Sequence, residues 1–324
     1  MKILIPGGSG QVGTILARAF RRDGHEVIVL SRKALTAKPW RVMQWDGRTS
    51  TGWADELEGT DVIINLAGRS VNCRYHARNR REIMQSRIDS TRAVGAAIRQ
   101  AAKPPRLWLQ ASTATIYAHR FDAANDEQTG ILGGEEPDAP DTWRFSIDVA
   151  KSWERAATEG ETLPHTRQIL MRSAITLSPE AGGIFDTLLS LVRHGLGGRA
   201  GDGRQFISWI HEADFVRAVY WLIEHEQLSG SVNLAAPNPL PNEQFMRVLR
   251  EAWGIRSGLP APTLLLELGA IFLRTETELI LKSRRVIPSQ LLGDGFIFDF
   301  PNWAQAAIDL CSRWKQQHGK RTTR

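Results

Sequence analysis

Short apolar runs alternate with stretches of helical polarity through the first half of this chain. The apolar runs predict strands at Lys2–Pro6, Glu26–Ser31, Arg41–Trp45, Asp61–Leu66, Arg106–Ala111 and Thr166–Met171. Several are nearly continuous, as expected of strands buried on both faces of a parallel sheet. Between them, apolar positions at helical spacing predict helices over Val12–Asp23, His76–Ala101 and Ser146–Glu159. Strand and helix in alternation predict an α/β fold built on a doubly wound parallel sheet.

Past about residue 175 the texture changes. Glycines crowd between Gly182 and Gly203, and prolines recur at Pro237, Pro239, Pro241, Pro260, Pro262, Pro288 and Pro301. Helices are predicted over Ile184–His194, Glu212–His225, Asn242–Trp253, Thr263–Leu273 and Trp303–Trp314. The expected division is a nucleotide-binding part at 1–175, with later segments returning to its sheet, and a smaller, partly helical lobe at 176–324. Open α/β sheets bind ligands beyond their C-terminal strand ends, and such a lobe would close that crevice.

The chemistry begins at the first turn. Gly7, Gly8, Ser9, Gly10, Gln11, Val12 and Gly13 join the first strand to the first helix. Glycines at this junction permit a tight turn and close approach of the backbone, and the helix N-terminus favours a diphosphate. A dinucleotide site that prefers NAD carries an acidic residue about 20 residues further on, for the ribose 2′-hydroxyl. Here the second strand ends in Ser31, Arg32 and Lys33. A guanidinium can pair with a 2′-phosphate, so the expected cofactor is NADP(H). The other reading is that Arg32 and Lys33 are solvated loop charges. Asp46, past the third strand, suits either an adenine amino group or a turn with Gly47.

Charge and composition narrow the rest. The net charge is +6, yet no stretch interleaves basic and aromatic residues, so nucleic acid is not expected as a partner. The most apolar stretch, Leu259 to Leu273, is broken by Pro260, Pro262 and Glu267 and is too short for a bilayer. Two cysteines, Cys73 and Cys311, suit a reducing compartment. With the first strand starting at Lys2, the expectation is a cytoplasmic protein. Eleven tryptophans, Trp153 and Trp303 among them, read as core packing rather than a cofactor cage.

Several segments together resemble the extended short-chain dehydrogenase/reductase superfamily. They are the Gly7–Gly13 turn, Asn65-Leu66-Ala67-Gly68, the run from Ser112 to Tyr117, and the run from Trp209 to Asp214. Ser86-Arg87, Trp153-Glu154, Gly182-Gly183 and Gly201-Asp202-Gly203-Arg204-Gln205 resemble its "epimerase family" subgroup, which ends in a small domain of unknown function. That domain would correspond here to about 259–309. The resemblance implies a Rossmann-type sheet and a cofactor site that includes Asn65 to Gly68. It puts Thr113, with Ser112 as its neighbour, at the catalytic Ser/Thr. It makes Arg87 a contact to the carboxamide or substrate, against a plain reading as a surface ion pair. Related folds pair through the helices at His76–Ala101 and Ser146–Glu159, which makes a homodimer an expectation.

The family's Tyr-x-x-x-Lys pair is missing. If Lys151 is the lysine, Ile147 holds the tyrosine position; if Trp153-Glu154 sets the register, the pair is Ser146 and Ala150. A proton donor is typically worth about 10²–10⁴-fold in rate. Tyr117 is the first candidate replacement, with His76, His119 and His211 behind it. Ile207 stands where sugar-nucleotide epimerases carry an arginine, so a less anionic small substrate is expected, faced by Trp209 and His211. Two functions follow: an NADP-dependent oxidoreductase or epimerase-like enzyme using Thr113 and Tyr117, or a non-catalytic NADP(H)-binding regulatory or scaffold protein.

Overall fold

The computed structural model describes the chain except residues 34–37, 138, 161–162, 164, 264–265, 268–275 and 320–324. The strands β1 (Lys2–Pro6), β2 (Glu26–Ser31), β3 (Arg41–Gln44), β4 (Val62–Asn65), β5 (Leu107–Thr113) and β6 (Arg167–Ser173) form as the apolar runs predict, the first two with the predicted ends and the others with ends shifted by at most two residues. Short pieces follow at β7 (Ile175–Leu177), β8 (Phe206–Ile207) and β9 (Trp209–His211). The run β10 (Gly230–Leu234) adds a seventh strand to the main sheet, and β11 (Leu240–Pro241) pairs with β8. The sheet order is β10-β6-β5-β4-β1-β2-β3, and every pair from β6 to β3 is parallel. β1 therefore sits between β2 and β4, and the C-terminal ends of β1, β2, β4 and β5 share one edge.

The helices α1 (Gln11–Arg22), α2 (Ala77–Gln100) and α3 (Asp141–Thr158) connect these strands. α3 begins five residues before the predicted start, because Asp141 opens it in the favourable first-turn position for a carboxylate. Further on lie α4 (Ile184–Arg193), α5 (Glu212–Glu224), α6 (Asn242–Trp253) and the helix Trp303–Gly319. The predicted helix Thr263–Leu273 falls largely outside the described residues. Among the described residues, no helix is long and apolar enough to cross a membrane.

The division expected near residue 175 allowed for later segments returning to the sheet; the compact units interleave before that point as well. One comprises Met1–Ile116, Arg144–Ser173 and Val216–Val232; the other comprises Tyr117–Trp143, Ala174–Phe215 and Asn233–Arg324. The sheet explains the interleaving, because β6 and β10 pair beside β5 and draw distant chain into the first unit. That unit's core gathers Leu4, Ile28, Ile63, Val94 and Trp108 between sheet and helices. The second unit has its own core around Phe185, Trp209, Phe245 and Trp303.

Candidate functional site

The first turn is shaped by steric exclusion. Gly7 has φ 74°, and a Cβ there would lie 2.5 Å from the Cα of Ala67. Its N–H donates to Leu30 O at 2.9 Å, pinning the turn to the end of β2. Gly13 packs so tightly that a Cβ would meet the Cα of Gly8 at 2.4 Å, which brings α1 down onto the turn. Gly10 opens α1 with no side-chain cap. The N–H groups of the first helical turn therefore have no intrahelical acceptor and keep their dipole for a ligand.

A cavity of about 550 Å³ opens over this turn. Of the residues singled out in the sequence, Gly7, Ser9, Gly10, Ser31, Arg32, Asp46, Leu66, Ala67 and Gly68 line it. Gly8 and Gly13 act beneath it as packing positions, and Lys33, Gln11 and Val12 do not line it. The Gln11 side-chain amide nitrogen is nevertheless buried without a hydrogen-bond partner. Asn65 also works from below. It is fully buried, donates to Gln110 Oε1 at 2.9 Å, and accepts from the N–H of Ala67 at 3.1 Å, which shapes the loop that faces the cavity.

Asp46 forms the turn while also lining the cavity. Its carboxylate accepts from the N–H groups of Arg48 at 2.8 Å and Thr49 at 2.9 Å, and from the Thr49 hydroxyl at 3.0 Å. Those bonds, Thr49's backbone N–H foremost, hold it below the usual carboxylate range. The sequence reading missed Trp45, Arg48, Arg69, Glu82, Gln85 and Ser86, which also line the cavity. The signal for Arg48 was its place two residues from Asp46; on α2 the family mark Ser86-Arg87 was the signal, and it was read for Arg87 rather than for Ser86, which lines the cavity.

The residues nominated for chemistry are placed otherwise. Ser112 donates to Glu154 Oε1 at 2.5 Å, and Glu154 in turn holds Arg172 through two contacts of 2.8 Å. Its side chain thus belongs to a buried network rather than to the cofactor cavity. Arg87 donates through Nη1 to the carbonyls of Arg69 and Ile83, each at 3.0 Å, and its guanidinium lies 4.8 Å from the Trp153 ring. Burial pulls it down to about 10. The surface ion pair expected of Arg87 on the plain reading is not what these contacts form. Thr113 ends β5, and its hydroxyl oxygen accepts from the Thr115 N–H at 3.2 Å, leaving its own proton to donate.

Tyr117 is buried, and its hydroxyl donates to Asn233 Oδ1 at 3.0 Å. Trp209 was expected to face a substrate, but it is fully buried against Trp303, with ring centroids 5.2 Å apart. Its apolar bulk is worth more inside the second core than at a surface. His211 is buried too; its Nε2 lies 3.0 Å from Asp309 Oδ2, its Nδ1 accepts from Ala213, and its ring stacks on Phe300. Burial outweighs Asp309 and lowers its pKa. His119 accepts from the Ser283 N–H at 2.8 Å, and His76 caps α2. On the helix of the missing pair, Ile147 and Ala150 are buried core residues.

A dinucleotide is the group these residues fit. The uncapped helix end, the backbone cradle that any Cβ at Gly7 would fill, and the orphaned Gln11 amide all suit an anionic ligand with hydrogen-bond acceptors. A model of the NAD dependent epimerase/dehydratase family matches residues 3–137, and one of a domain of unknown function, DUF1731, matches residues 261–310. The human epimerase family protein SDR39U1 is 31% identical over 96% of this chain and 99% of its own. The chain belongs to the epimerase family. An epimerase family protein of Staphylococcus aureus (strain MW2), MW0731, is 30% identical over 95% of this epimerase-family chain and 98% of its own. A crystal structure of human SDR39U1 (isoform 2) with NADPH is similar at a TM-score of 0.83 and 29% identity, covering 96% of this chain and 99% of that one.

Proposed function

We propose that this epimerase-family protein binds NADP(H) in the cavity over its first turn, without the tyrosine-dependent proton transfer of its superfamily. The observation that carries the binding reading is the β2 end of that cavity, where Ser31 and Arg32 stand in place of a carboxylate. There Arg32 would hold the 2′-phosphate, the Gly7–Gly13 turn the diphosphate, and Leu66 to Gly68 the adenosine half. The similar human structure with NADPH supports the same choice. A bound nicotinamide supplies hydride chemistry. The chain's own groups then decide whether a proton can follow, and Tyr117, His119 and His211 are each engaged in internal hydrogen bonds.

The test is a titration with NADPH and NADH, on the native chain and on Arg32→Ala. The expected result is an NADPH preference that falls by about tenfold or more in the variant, the size of a lost charge-assisted contact. Equal affinities in the native chain would overturn the reading. A second reading, an NADP-dependent oxidoreductase on a small substrate, is favoured by the donor proton left on Thr113 at the end of β5. It expects turnover that Thr113→Val removes and Tyr117→Phe leaves intact. Turnover lost in Tyr117→Phe, with the fold preserved, would instead restore a tyrosine acid.

A further inference from the structure

We infer that Arg48 is a second specificity-determining cation for the 2′-phosphate, delivered by a loop prebuilt for that purpose; this rests on NADP(H) occupying the cavity. The loop follows β3, and both Arg48 and Arg32 line the cavity. Its main chain is held from two sides. Asp46 accepts from the N–H of Arg48 and from Thr49, as an aspartate does when it nucleates a turn. Beneath, two buried indoles converge on one acceptor: the N–H groups of Trp45 and Trp53 donate to the carbonyl of Thr49 at 2.6 and 2.9 Å. The two rings brace each other edge to face at 5.6 Å. Asp46 cannot move without releasing three bonds, and Thr49 cannot move without stranding two buried indole donors.

Charge makes the arrangement meaningful. A phosphate monoester carries nearly two negative charges at neutral pH. Asp46 places a carboxylate on the same cavity wall, held ionised by its turn bonds, so Arg32 alone would leave that wall near neutrality. Arg48 makes it positive. Its guanidinium is largely exposed and lies 3.7 Å from Asp89 on α2, a long, solvated contact of the kind that contributes little. Exchanging Asp89 for a phosphate therefore loses little, and the backbone under Arg48 requires no ordering on binding.

The experiment measures dissociation constants for NADPH and NADH with Arg48→Ala, Asp89→Asn and the double variant, alongside Arg32→Ala. Arg48→Ala should weaken NADPH by about tenfold and leave NADH unchanged, as expected for one lost guanidinium–phosphate contact. Asp89→Asn should tighten NADPH slightly, and only while Arg48 is present. The affinity of 2′,5′-ADP should follow NADPH, and that of 5′-ADP should follow NADH. If Arg48→Ala weakens both dinucleotides equally, or neither, while Arg32→Ala still removes the NADPH preference, the role of Arg48 is overturned and the cofactor assignment stands. A native chain with no preference for NADPH overturns both.

Discussion

The edge of the first sheet and the tyrosine and histidines of the second unit hold their polar groups in opposite ways. At the ends of β1, β2 and β4, the turn leaves helical N–H groups uncapped, and Arg32 and Arg48 stand at a cavity wall. In the second unit, Tyr117 is committed to Asn233, His211 to Asp309 and Ala213, and His119 to Ser283. Buried polar groups must find partners, and those that do are held for the fold. Groups left unsatisfied beside a cavity are the ones available to a ligand. The contrast separates residues that look functional in sequence from residues that the fold leaves free to act.

The sharpest way to break this contrast is Trp209→Ala. If the indole is core, the variant should lose about 3–5 kcal/mol of stability by chemical denaturation while the folded fraction keeps its NADPH affinity. Weaker NADPH binding with unchanged stability would move Trp209 back to a ligand site. Gly7→Ala should do the reverse. A Cβ forced into the left-handed region and against Ala67 costs about 1–3 kcal/mol and should abolish dinucleotide binding. Retained affinity would mean that the turn does not hold the diphosphate.

Acidification gives the smallest and most graded test. Burial lowers the pKa of His211 below its ordinary 6.5, so the unfolded chain accepts a proton that the folded chain refuses. Stability is then complete above about pH 6.5 and declines as the pH falls below it, by at most about 1.4 kcal/mol per pH unit for this one group. His119, also lowered by burial but partly exposed, adds a weaker slope of the same sign. Thermal melts between pH 5 and 8 should show the decline, and His211→Gln should flatten it. An unchanged slope in that variant would mean that folding does not shift the titration of His211.

What could be read from sequence divides along the range of the forces involved. The turn from Gly7 to Gly13 and the end of β2 are local: a few adjacent residues set the backbone, and the strand, turn and helix they build were legible. The strands β1 to β6 were legible for the same reason, since each apolar run declares its own burial. Ser112, Trp209 and His211 were misplaced because their partners lie far along the chain, at Glu154, Trp303 and Asp309. No pattern within a few residues of Trp209 distinguishes a ring that faces a substrate from one that meets Trp303. β10 was missed as a strand because Gly230–Leu234 is too short to announce itself without β6 beside it.

The interleaving of the two units also sets a timetable for the ribosome. The seven-stranded sheet cannot be completed when its first five strands have emerged, because β6 follows a detour through the second unit and β10 follows another. Only after about Leu234 leaves the exit tunnel is the outer strand available. Until then the flank of β5 or β6 stands open, an unpaired strand edge of the kind that recruits other chains. A nascent chain of this protein therefore carries that open edge over a longer stretch of synthesis than a sheet made from one continuous segment would.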